Sequence, residues 1–440
     1  MNINQDIGLQ IPQILLPKPS VDPYKWSVIA CDQFTSQPDY WQEVAQIVGD
    51  APSTYHMILP EVYLETSKEE KRIQSTHTVM KDYLQSGIFS TLDGFIYVNR
   101  TVGNRTRCGL MVCLDLEQYD YTSSSQTLIR ATEGTIIDRL PPRIRIREQA
   151  PLECPHILVL FDDPNNTVLG PLNDKVDQFK LVYDFDLMLE SGHLKGYAID
   201  DTKDQNKILN SLHQLIEPEL FAEKYDLEQG QHQPLLFAMG DGNHSLATAK
   251  AIWEQLKPSV SMDHPARYAL VEIINVHDPA LTFEPIHRVL FNINQDLIAA
   301  MRNYWGDRLV IQDAAGESEL TTAVNNHEQH CHQVGMLSPD GLKIIQIHNP
   351  QDNLAVGTLQ KFLDEFIEAN GAEKIDYVHG TDVLFDIGKQ DGNTGFYVPG
   401  IVKSDLFKTV ILDGALPRKT FSMGTAKEKR FYMECRRIIP

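Results

Sequence analysis

The chain has 440 residues, with 39 Lys and Arg against 60 Asp and Glu, and its formal net charge is −21 at pH 7. The field of so acidic a molecule repels phosphate, which argues against bulk binding of nucleic acid or an anionic membrane. Apolar residues at 42% and charged residues at 22% exclude a disordered chain. No apolar stretch is long enough to span a bilayer, and residues 1–16 lack the basic start of a signal peptide. Since the six cysteines also form no Cys-x-x-Cys pair, we expect reduced thiols in a cytoplasmic protein.

Helical and strand-like patterns alternate along the first half of the chain. The predicted helices cover residues 39–48, 67–85, 175–189 and 202–216, and the predicted strands cover residues 94–99, 109–116, 143–147 and 155–161. The second helix opens with Ser67-x-x-Glu70, the pattern of a capping box, and ends before Gly87. Between Arg143 and Arg147, Arg and Ile alternate with a period of two. This alternation predicts a strand with three guanidinium groups on one face.

The second half of the chain continues the mixed pattern. Strands are predicted over 234–239, 268–276 and 343–348, and helices over 246–256, 296–304, 359–369 and the basic C-terminal segment. The composition loosens at 312–332, which is the most plausible boundary between lobes. We therefore predict an α+β fold, mixed α and β, with an N-terminal lobe at 1–310 and a C-terminal lobe at 311–440.

The sharpest local feature is the segment Gly240-Asp-Gly-Asn-His-Ser245, which lies between a predicted strand and a predicted helix. Glycines allow the backbone to approach a ligand closely, and a helix N-terminus favours phosphate or carboxylate. Asp241 and His244 add an acid and a base at the same place. An ordinary strand-to-helix turn, with Gly in a left-handed conformation and Asp or Asn as a cap, explains the same residues. Both interpretations remain open on this pattern.

Two short basic segments stand out from the acidic background. Residues 130–147 carry five Arg against Glu133 and Asp138, a net charge of +3, and residues 418–437 carry seven basic residues against two Glu, a net charge of +5. In the second segment Thr425 and Glu428 form a predicted capping box. Both segments fit a small-anion site, since arginine binds phosphate and carboxylate through two bonds. A charged edge strand and an ordinary basic terminal helix are the alternatives.

Five short segments follow one another in a specific order. They are 130–135 (Arg-Ala-Thr-Glu-Gly-Thr), 138–139 (Asp-Arg), 240–249 (Gly-Asp-Gly-Asn-His-Ser-Leu-Ala-Thr-Ala), 285–288 (Pro-Ile-His-Arg) and 417–422 (Pro-Arg-Lys-Thr-Phe-Ser). As an ordered set they resemble the family of domain of unknown function 1015, over nearly the whole chain. Many members read Asp-Gly-His-His-Arg where this chain has Asp241-Gly-Asn-His-Ser245, so Asp241, Gly242 and His244 carry over. The Arg of that motif is absent, and Arg288 or the basic segments would have to replace it.

The same turn is similar to that of free-serine kinases in the ParB/sulfiredoxin superfamily, where it opens a helix and helps to hold nucleotide phosphates beside the amino-acid hydroxyl. The resemblance implies a ParB/sulfiredoxin-like core. It also implies phosphoryl transfer between a nucleotide and a small hydroxy compound, with serine and phosphoserine favoured. ATP or ADP and Mg²⁺ are the implied cofactors, and a small anionic metabolite and a nucleotide the implied partners.

The implied roles fall on specific residues. Asp241 would bind Mg²⁺ or accept the hydroxyl proton, and Glu133 is a second candidate base. His244 and His287 would bind phosphate or transfer protons. The residues that would hold phosphate or substrate are Gly240, Gly242, Asn243, Arg130, Thr132, Arg139, Arg288, Arg418, Lys419, Thr420 and Ser422.

Three other functions compete with phosphoryl transfer. A phosphatase or other hydrolase would use the same anion pocket with water as the acceptor and would need no nucleotide. A non-catalytic sensor would bind a nucleotide or a phosphorylated metabolite tightly without turnover, which the substitutions at Asn243 and Ser245 favour. Nucleic-acid binding is least favoured, because it needs a wider basic surface than two short segments supply.

Overall fold

The computed structural model describes residues 3–122, 125–134, 140–326 and 330–440. The chain divides into two units, the first formed by Met1–Leu281 with Gly424–Pro440 and the second by Thr282–Met423. The predicted mixture of α and β structure in two lobes is confirmed. The observed boundaries lie at 281/282 and 423/424, whereas the predicted position at 310/311 falls within a strand of the second unit. The ParB/sulfiredoxin-like core remains a prediction.

The first unit is built on a large mixed sheet. The strands of this unit are β1 Ile3–Asn4, β2 Leu9–Gln10, β3 Gln13–Pro17, β4 Phe89–Asp93, β5 Phe95–Val102, β6 Arg105–Asp115, β7 Tyr119–Asp120, β8 Ile129–Arg130, β9 Leu152–Glu153, β10 Leu158–Phe161, β11 Lys180–Asp186, β12 His193–Ile199, β13 Phe237–Asp241 and β14 Tyr268–Asn275. Strands β3, β4 and β9 lie outside the large sheet and form short two-stranded pairs. The main path of the sheet runs β11-β12-β5-β6-β14-β10-β13-β8-β7. Strands β8 and β13 are parallel, so the loops that follow them leave from the same edge of the sheet.

Helices cover both faces of this sheet. They are α1 Pro23–Trp26, α2 Pro38–Val48, α3 Glu69–Gln85, α4 Leu140–Arg147, α5 Gly170–Asn173, α6 Thr202–Gln214, α7 Pro218–Tyr225 and α8 Asn243–Leu256. Along β5, Ile96 and Val98 enter one hydrophobic core, whereas Phe95 and Tyr97 enter another on the opposite face. This alternation follows from the two-residue period of a strand, and both faces are apolar because both are covered.

Three local predictions in the first unit are wrong. Residues 143–147 belong to helix α4 and not to a strand, since five alternating residues are too few to separate the two periods and Pro141 and Pro142 favour a helix start. Residues 180–186 form strand β11 where a helix is predicted. The capping box expected at Ser67 is absent from α3, whose first residue is Glu69 and whose N-cap, Lys68, makes no side-chain hydrogen bond.

The second unit contains a smaller, antiparallel sheet. Its strands are β15 Phe283–Ile293, β16 Leu309–Ala314, β17 Cys331–Ser338, β18 Gly341–His348, β19 Ala372–His379, β20 Thr394–Tyr397 and β21 Phe421–Met423, and its helices are α9 Leu297–Trp305, α10 Glu317–Asn325, α11 Ala355–Glu368, α12 Thr381–Gly388 and α13 Lys403–Asp413. The strand order is β16-β18-β17-β20-β15-β19, and β21 pairs with the start of β15. Helices α10 and α12 pack on this sheet around Val289, Leu337 and Leu384.

After Met423 the chain returns to the first unit as an extended segment. The predicted capping box between Thr425 and Glu428 is present, but it closes a single 3₁₀ turn at Ala426–Glu428. The predicted basic C-terminal helix is therefore wrong. Beyond that turn the backbone bonds to residues 28–30 and to the short strand β9, which pairs with β22 Arg436–Arg437. This tertiary pairing replaces the local helical bonds that the sequence pattern favours.

Within the described ranges, no helix combines the length and the apolar character needed to cross a bilayer.

Candidate functional site

The turn between β13 and α8 requires glycine. Gly242 has a φ of +77° and occupies the N-cap of α8, a conformation that side chains with a Cβ rarely adopt. A Cβ at this position would stand 3.1 Å from the Cα of Ile157, which is closer than ordinary packing allows. The backbone therefore passes tightly over the start of β10 before the 14-residue helix begins. The positive end of that helix dipole faces the turn.

An ion pair lies at this turn. Lys429 Nζ stands 3.1 Å from Asp241 Oδ2, and the two side chains are 11% and 17% exposed. The other carboxylate oxygen of Asp241 accepts a hydrogen bond of 3.0 Å from the backbone N–H of Gly242. The second basic segment thus reaches the predicted turn through Lys429, a residue that the sequence analysis did not select.

A network of buried charges positions Lys429. Arg100 donates to the carbonyl oxygen of Lys427 at 2.7 Å, and Arg107 donates to that of Glu428 at 3.0 Å. On the other side of Lys429, the buried Arg430 pairs with Glu272 and Glu434. These contacts fix the backbone on both sides of Lys429, so that its side chain alone extends towards the turn.

The loop after β8 packs beside the same turn. The hydroxyl of Thr132 donates to the carbonyl oxygen of Met239 at 2.7 Å, and the Asn243 amide donates to that of Glu133 at 3.3 Å. The hydroxyl of Tyr119 donates to Asn243 Oδ1 at 3.2 Å. The structure therefore brings together two of the ordered sequence segments, 130–134 and 240–245.

The buried side chain of His156 also borders the turn. His156 Nε2 lies 3.2 Å from Ser245 Oγ, and His156 Nδ1 lies 3.0 Å from the hydroxyl of Tyr432. Burial acts to raise the pKa of the half-buried Asp32, but His156, a hydrogen bond from Gln33 and Lys429 outweigh it and lower the pKa below its ordinary value. Asp32 is therefore ionised at neutral pH and lies within electrostatic reach of both His156 and Lys429.

The described arginines of the first basic segment already have partners within the unit. Arg130 is buried and donates to the carbonyl oxygens of Thr127 and Gln233, both at 2.8 Å, and burial lowers its pKa to about 10. Helix α4 packs on α8. Its three arginines pair with carboxylates from elsewhere in the unit, namely Arg143 with Glu61, Arg145 with Glu69, and Arg147 with Glu153. Arg139 lies outside the described residues.

The remaining predicted residues of the first unit sit at the turn. Gly240 lies within β13, immediately before Asp241. His244 is half-buried in the first turn of α8, where its carbonyl oxygen accepts a bond from Thr248 at 2.7 Å. The turn therefore holds Gly240, Asp241, Gly242, Asn243 and His244 in one place, with Thr132 and Glu133 beside them.

His287 and Arg288 lie in the second unit, in the middle of β15. Val398 donates its backbone N–H to His287 Nδ1 at 3.2 Å, and the ring stacks on Tyr397 at a centroid distance of 4.7 Å. Burial, helped by Arg288 and His379, lowers the pKa of His287 to about 4. Arg288 is fully buried and donates to Gln360 at 3.0 Å and to the carbonyl oxygens of Ile286 and Arg418. These contacts favour structural roles for both residues, and their predicted roles remain untested.

Four further predicted residues also lie in the second unit. Arg418 is exposed and donates to Tyr377 at 2.7 Å and to Asp364 at 2.6 Å. Lys419 has a φ of +56°, Thr420 is buried, and Ser422 pairs with Glu284 across β21 and β15. Their predicted contribution to the site at Asp241 stays a prediction.

The donors present do not fit Mg²⁺ at Asp241. Magnesium is bound through carboxylate and phosphate oxygens, yet one Asp241 oxygen pairs with Lys429 and the other accepts the N–H of Gly242. Lys429 supplies the positive charge at this carboxylate. Across the part of the chain that the structure describes, no cluster of three or more His, Cys, Asp and Glu side chains is arranged to hold a metal ion.

Comparisons with known proteins identify the family to which the sequence is similar. A family model described as "Protein of unknown function (DUF1015)" matches residues 13–366. Solved structures of a free serine kinase, in complex with AMP or with ADP, are similar with a TM-score of 0.38 and 10% identity, over 76% of this chain and 93% of the kinase chain. A conserved hypothetical protein from Pyrococcus furiosus has a TM-score of 0.35 and 10% identity, over 77% and 98% of the two chains. No curated protein matches the sequence.

Proposed function

The chain belongs to the DUF1015 family, and from the geometry of its site we propose that it transfers a phosphoryl group between a nucleotide and a small hydroxy compound. One observation carries the proposal: Lys429 and Asp241 form a partly exposed ion pair at the glycine turn that opens α8. Phosphoryl transfer depends on neutralising and positioning phosphate more than on covalent chemistry by the protein. A lysine, a carboxylate and the positive end of a helix meet that need.

The proposed reaction assigns one task to each group. The acceptor oxygen forms a bond to the γ-phosphorus, the bond from that phosphorus to the β-phosphate oxygen breaks, and the electron pair leaves with the nucleoside diphosphate. The acceptor proton passes to the Asp241 carboxylate. Lys429 stabilises the charge on the transferred group, and the N-terminus of α8 binds the neighbouring phosphate. In the reverse direction Asp241 returns the proton.

The acceptor is a small molecule in this proposal. The half-buried Asp32 and Ser245 and the buried His156 lie near the turn and supply hydrogen-bonding groups for a hydroxyl. Serine and phosphoserine are the acceptor and product that the sequence resemblance favours. A nucleotide and a small anionic metabolite are accordingly the proposed partners, and ATP or ADP the proposed cofactor.

The test compares two lysine-to-methionine variants two residues apart. We expect Lys429→Met to lower the rate of phosphoryl transfer from ATP by about 10²- to 10³-fold, the loss typical when one charge-stabilising donor is removed. Lys427→Met is the matched control, because Lys427 is exposed and contributes its backbone carbonyl to Arg100. We expect that control to stay within about twofold of the native rate.

Binding is measured in parallel by thermal shift with ATP, ADP and AMP. A ligand at 100 times its Kd stabilises the protein by about 2.7 kcal/mol, which raises the melting temperature measurably. Equal shifts for the native protein and Lys429→Met would contradict the phosphate-binding role of Lys429. Phosphate release from phosphoserine without any nucleotide would instead identify a hydrolase.

A further inference from the structure

A cavity of about 130 Å³ opens in the first unit against the first turns of α8. Eleven of its 21 lining residues are apolar, among them Met57, Met80, Leu152 and Leu270, all of which are buried. An empty apolar cavity lowers the stability of a fold, because side chains that could have packed there make no contacts. A cavity this large beside a polar site is therefore expected to serve a ligand.

Among the polar residues of the cavity, three mark the end that contacts the first turn of α8. Ser245, His156 and Tyr432 form a hydrogen-bonded row there, with 3.2 Å between Ser245 and His156 and 3.0 Å between His156 and Tyr432. Ser245 belongs to the first turn of α8, four residues after Asp241. The same end of the cavity therefore adjoins the turn where the transferred phosphoryl group would lie.

The charges that line the cavity cancel. Arg143 pairs with Glu61, and Arg147 pairs with Glu153 at 2.6 Å. Burial, together with Asp32 and Glu61, raises the pKa of the Cys31 thiol to about 12, so this lining residue is neutral as well. A lining without net charge suits an uncharged body and is unsuited to the polyphosphate of a nucleotide.

We propose that this cavity binds the acceptor, and that the acceptor is a hydroxy compound with an uncharged apolar body of up to about six carbon atoms. Its hydroxyl would lie at the Ser245–His156 end, and its body would lie between Met57, Met80 and Leu270. A cavity of about 150 Å³ accommodates benzene, which sets the size of the body. This inference rests on the proposed phosphoryl transfer for the identity of the ligand as the acceptor. It proposes an apolar hydroxy compound in place of the zwitterionic serine that the sequence resemblance favours.

The test uses the full chain and a series of n-alkanols from 1-propanol to 1-hexanol, titrated by calorimetry without nucleotide. Each added methylene that enters an apolar cavity should lower the Kd about fourfold, until the cavity is full. Ala150 lines the cavity and is buried, so Ala150→Leu would occupy part of it. In this variant we expect the Kd of the alkanols to stop changing with their chain length. The affinity for ATP should stay unchanged.

Two further variants keep the test decisive. Ala299→Leu is the matched control, because Ala299 is exposed on α9 in the second unit, and it should behave as the native protein does. If Ala150→Leu does not fold, Met80→Ala enlarges the cavity instead and should extend the series, so that 1-heptanol and 1-octanol continue to gain affinity.

The possible outcomes separate the two proposals. Affinity that does not change with chain length, or L-serine binding more tightly than 1-hexanol, would overturn the apolar acceptor. Competition between adenosine and 1-hexanol would indicate that the cavity binds the nucleotide base. That result would also overturn the apolar acceptor. Because no nucleotide is present in the alkanol titration, it is independent of the Lys429→Met experiment. A failure of the proposed phosphoryl transfer would appear only in that experiment.

Discussion

The turn at 240–245 and the strand segment at 285–288 both place a histidine near a charged residue, yet their surroundings differ. At the turn, Asp241 and Lys429 are partly exposed and pair across two distant parts of the chain. In the strand, His287 and Arg288 are 1% and 0% exposed, and neighbours within the second unit accept or donate their hydrogen bonds. Removing one partner of a buried, satisfied charge destabilises a fold, whereas a partly exposed pair can exchange its partner for a ligand.

The largest expected effect concerns the strand. Arg288→Met should lower the free energy of unfolding by about 4 kcal/mol, because the acceptors on Gln360, Ile286 and Arg418 lose their buried donor. Urea denaturation measures this loss. Arg418→Met is the matched control, since its pair with Asp364 is exposed and should contribute less than about 1 kcal/mol. Equal losses in the two variants would remove the structural role assigned to Arg288.

The second prediction concerns pH. His287 has a pKa of about 4 in the folded protein, against about 6.5 in an unfolded chain, so between these values the unfolded chain binds a proton that the folded one does not. Stability should therefore fall as the pH drops from 7 to 4, by about 3 kcal/mol from this residue.

His287→Asn should remove that part of the pH dependence, because the amide does not titrate and Asn can still accept the bond from Val398. Urea denaturation at pH 7, 5.5 and 4 compares the variant with the native protein. Some dependence should persist in both proteins, since burial also lowers the pKa of His332. Identical pH profiles would show that His287 is accessible to protons and would weaken the contrast with the turn.

The third prediction concerns the backbone of the turn. Gly242→Ala should cost about 2 kcal/mol, since the new Cβ meets both an unfavourable φ and the backbone of Ile157 at 3.1 Å. Gly230→Ala shares the positive φ, +80°, but would place its Cβ in open space, so it should cost about 1 kcal/mol. The difference between the two variants in thermal unfolding measures the close approach to β10. A larger loss of stability in Gly230→Ala than in Gly242→Ala would contradict this close approach.

The smallest effect on stability is expected at the ion pair itself. Asp241→Asn should change the free energy of unfolding by less than about 1 kcal/mol, because the pair with Lys429 is partly exposed. In the same variant phosphoryl transfer should be lost, since the amide cannot accept the acceptor proton. Unfolding curves and turnover from ATP are measured on one preparation. A loss of several kcal/mol with turnover intact would make this pair structural, like Arg288.

The local sequence pattern predicted those structural elements that depend on residues close together in the chain. The strand, glycine turn and helix around Gly242 were predictable, because the strand, the turn and the helix each have short-range signals. The capping box at Thr425 and Glu428 was predictable for the same reason, although the helix after it was not. Backbone bonds to residues 28–30 hold the next residues extended, and no local pattern contains those bonds.

The site itself was only partly predictable. Asp241, Gly242 and Asn243 have a sequence signal, whereas Lys429 was one basic residue among seven in its segment. Asp32 and His156 carried no signal, since they reach the turn only through the pairing of the return segment and the start of β10. A search for basic residues within three positions of the Thr425–Glu428 box would have selected Lys427, Lys429 and Arg430.

The position of Lys429 has a consequence for the order of synthesis. Residues 282–423 form the whole second unit, yet they are translated before the lysine that completes the charge pair of the first. Even a nascent chain that has folded its entire large sheet still lacks this cation. The ion pair at the proposed site can therefore form only after the whole second unit has been translated.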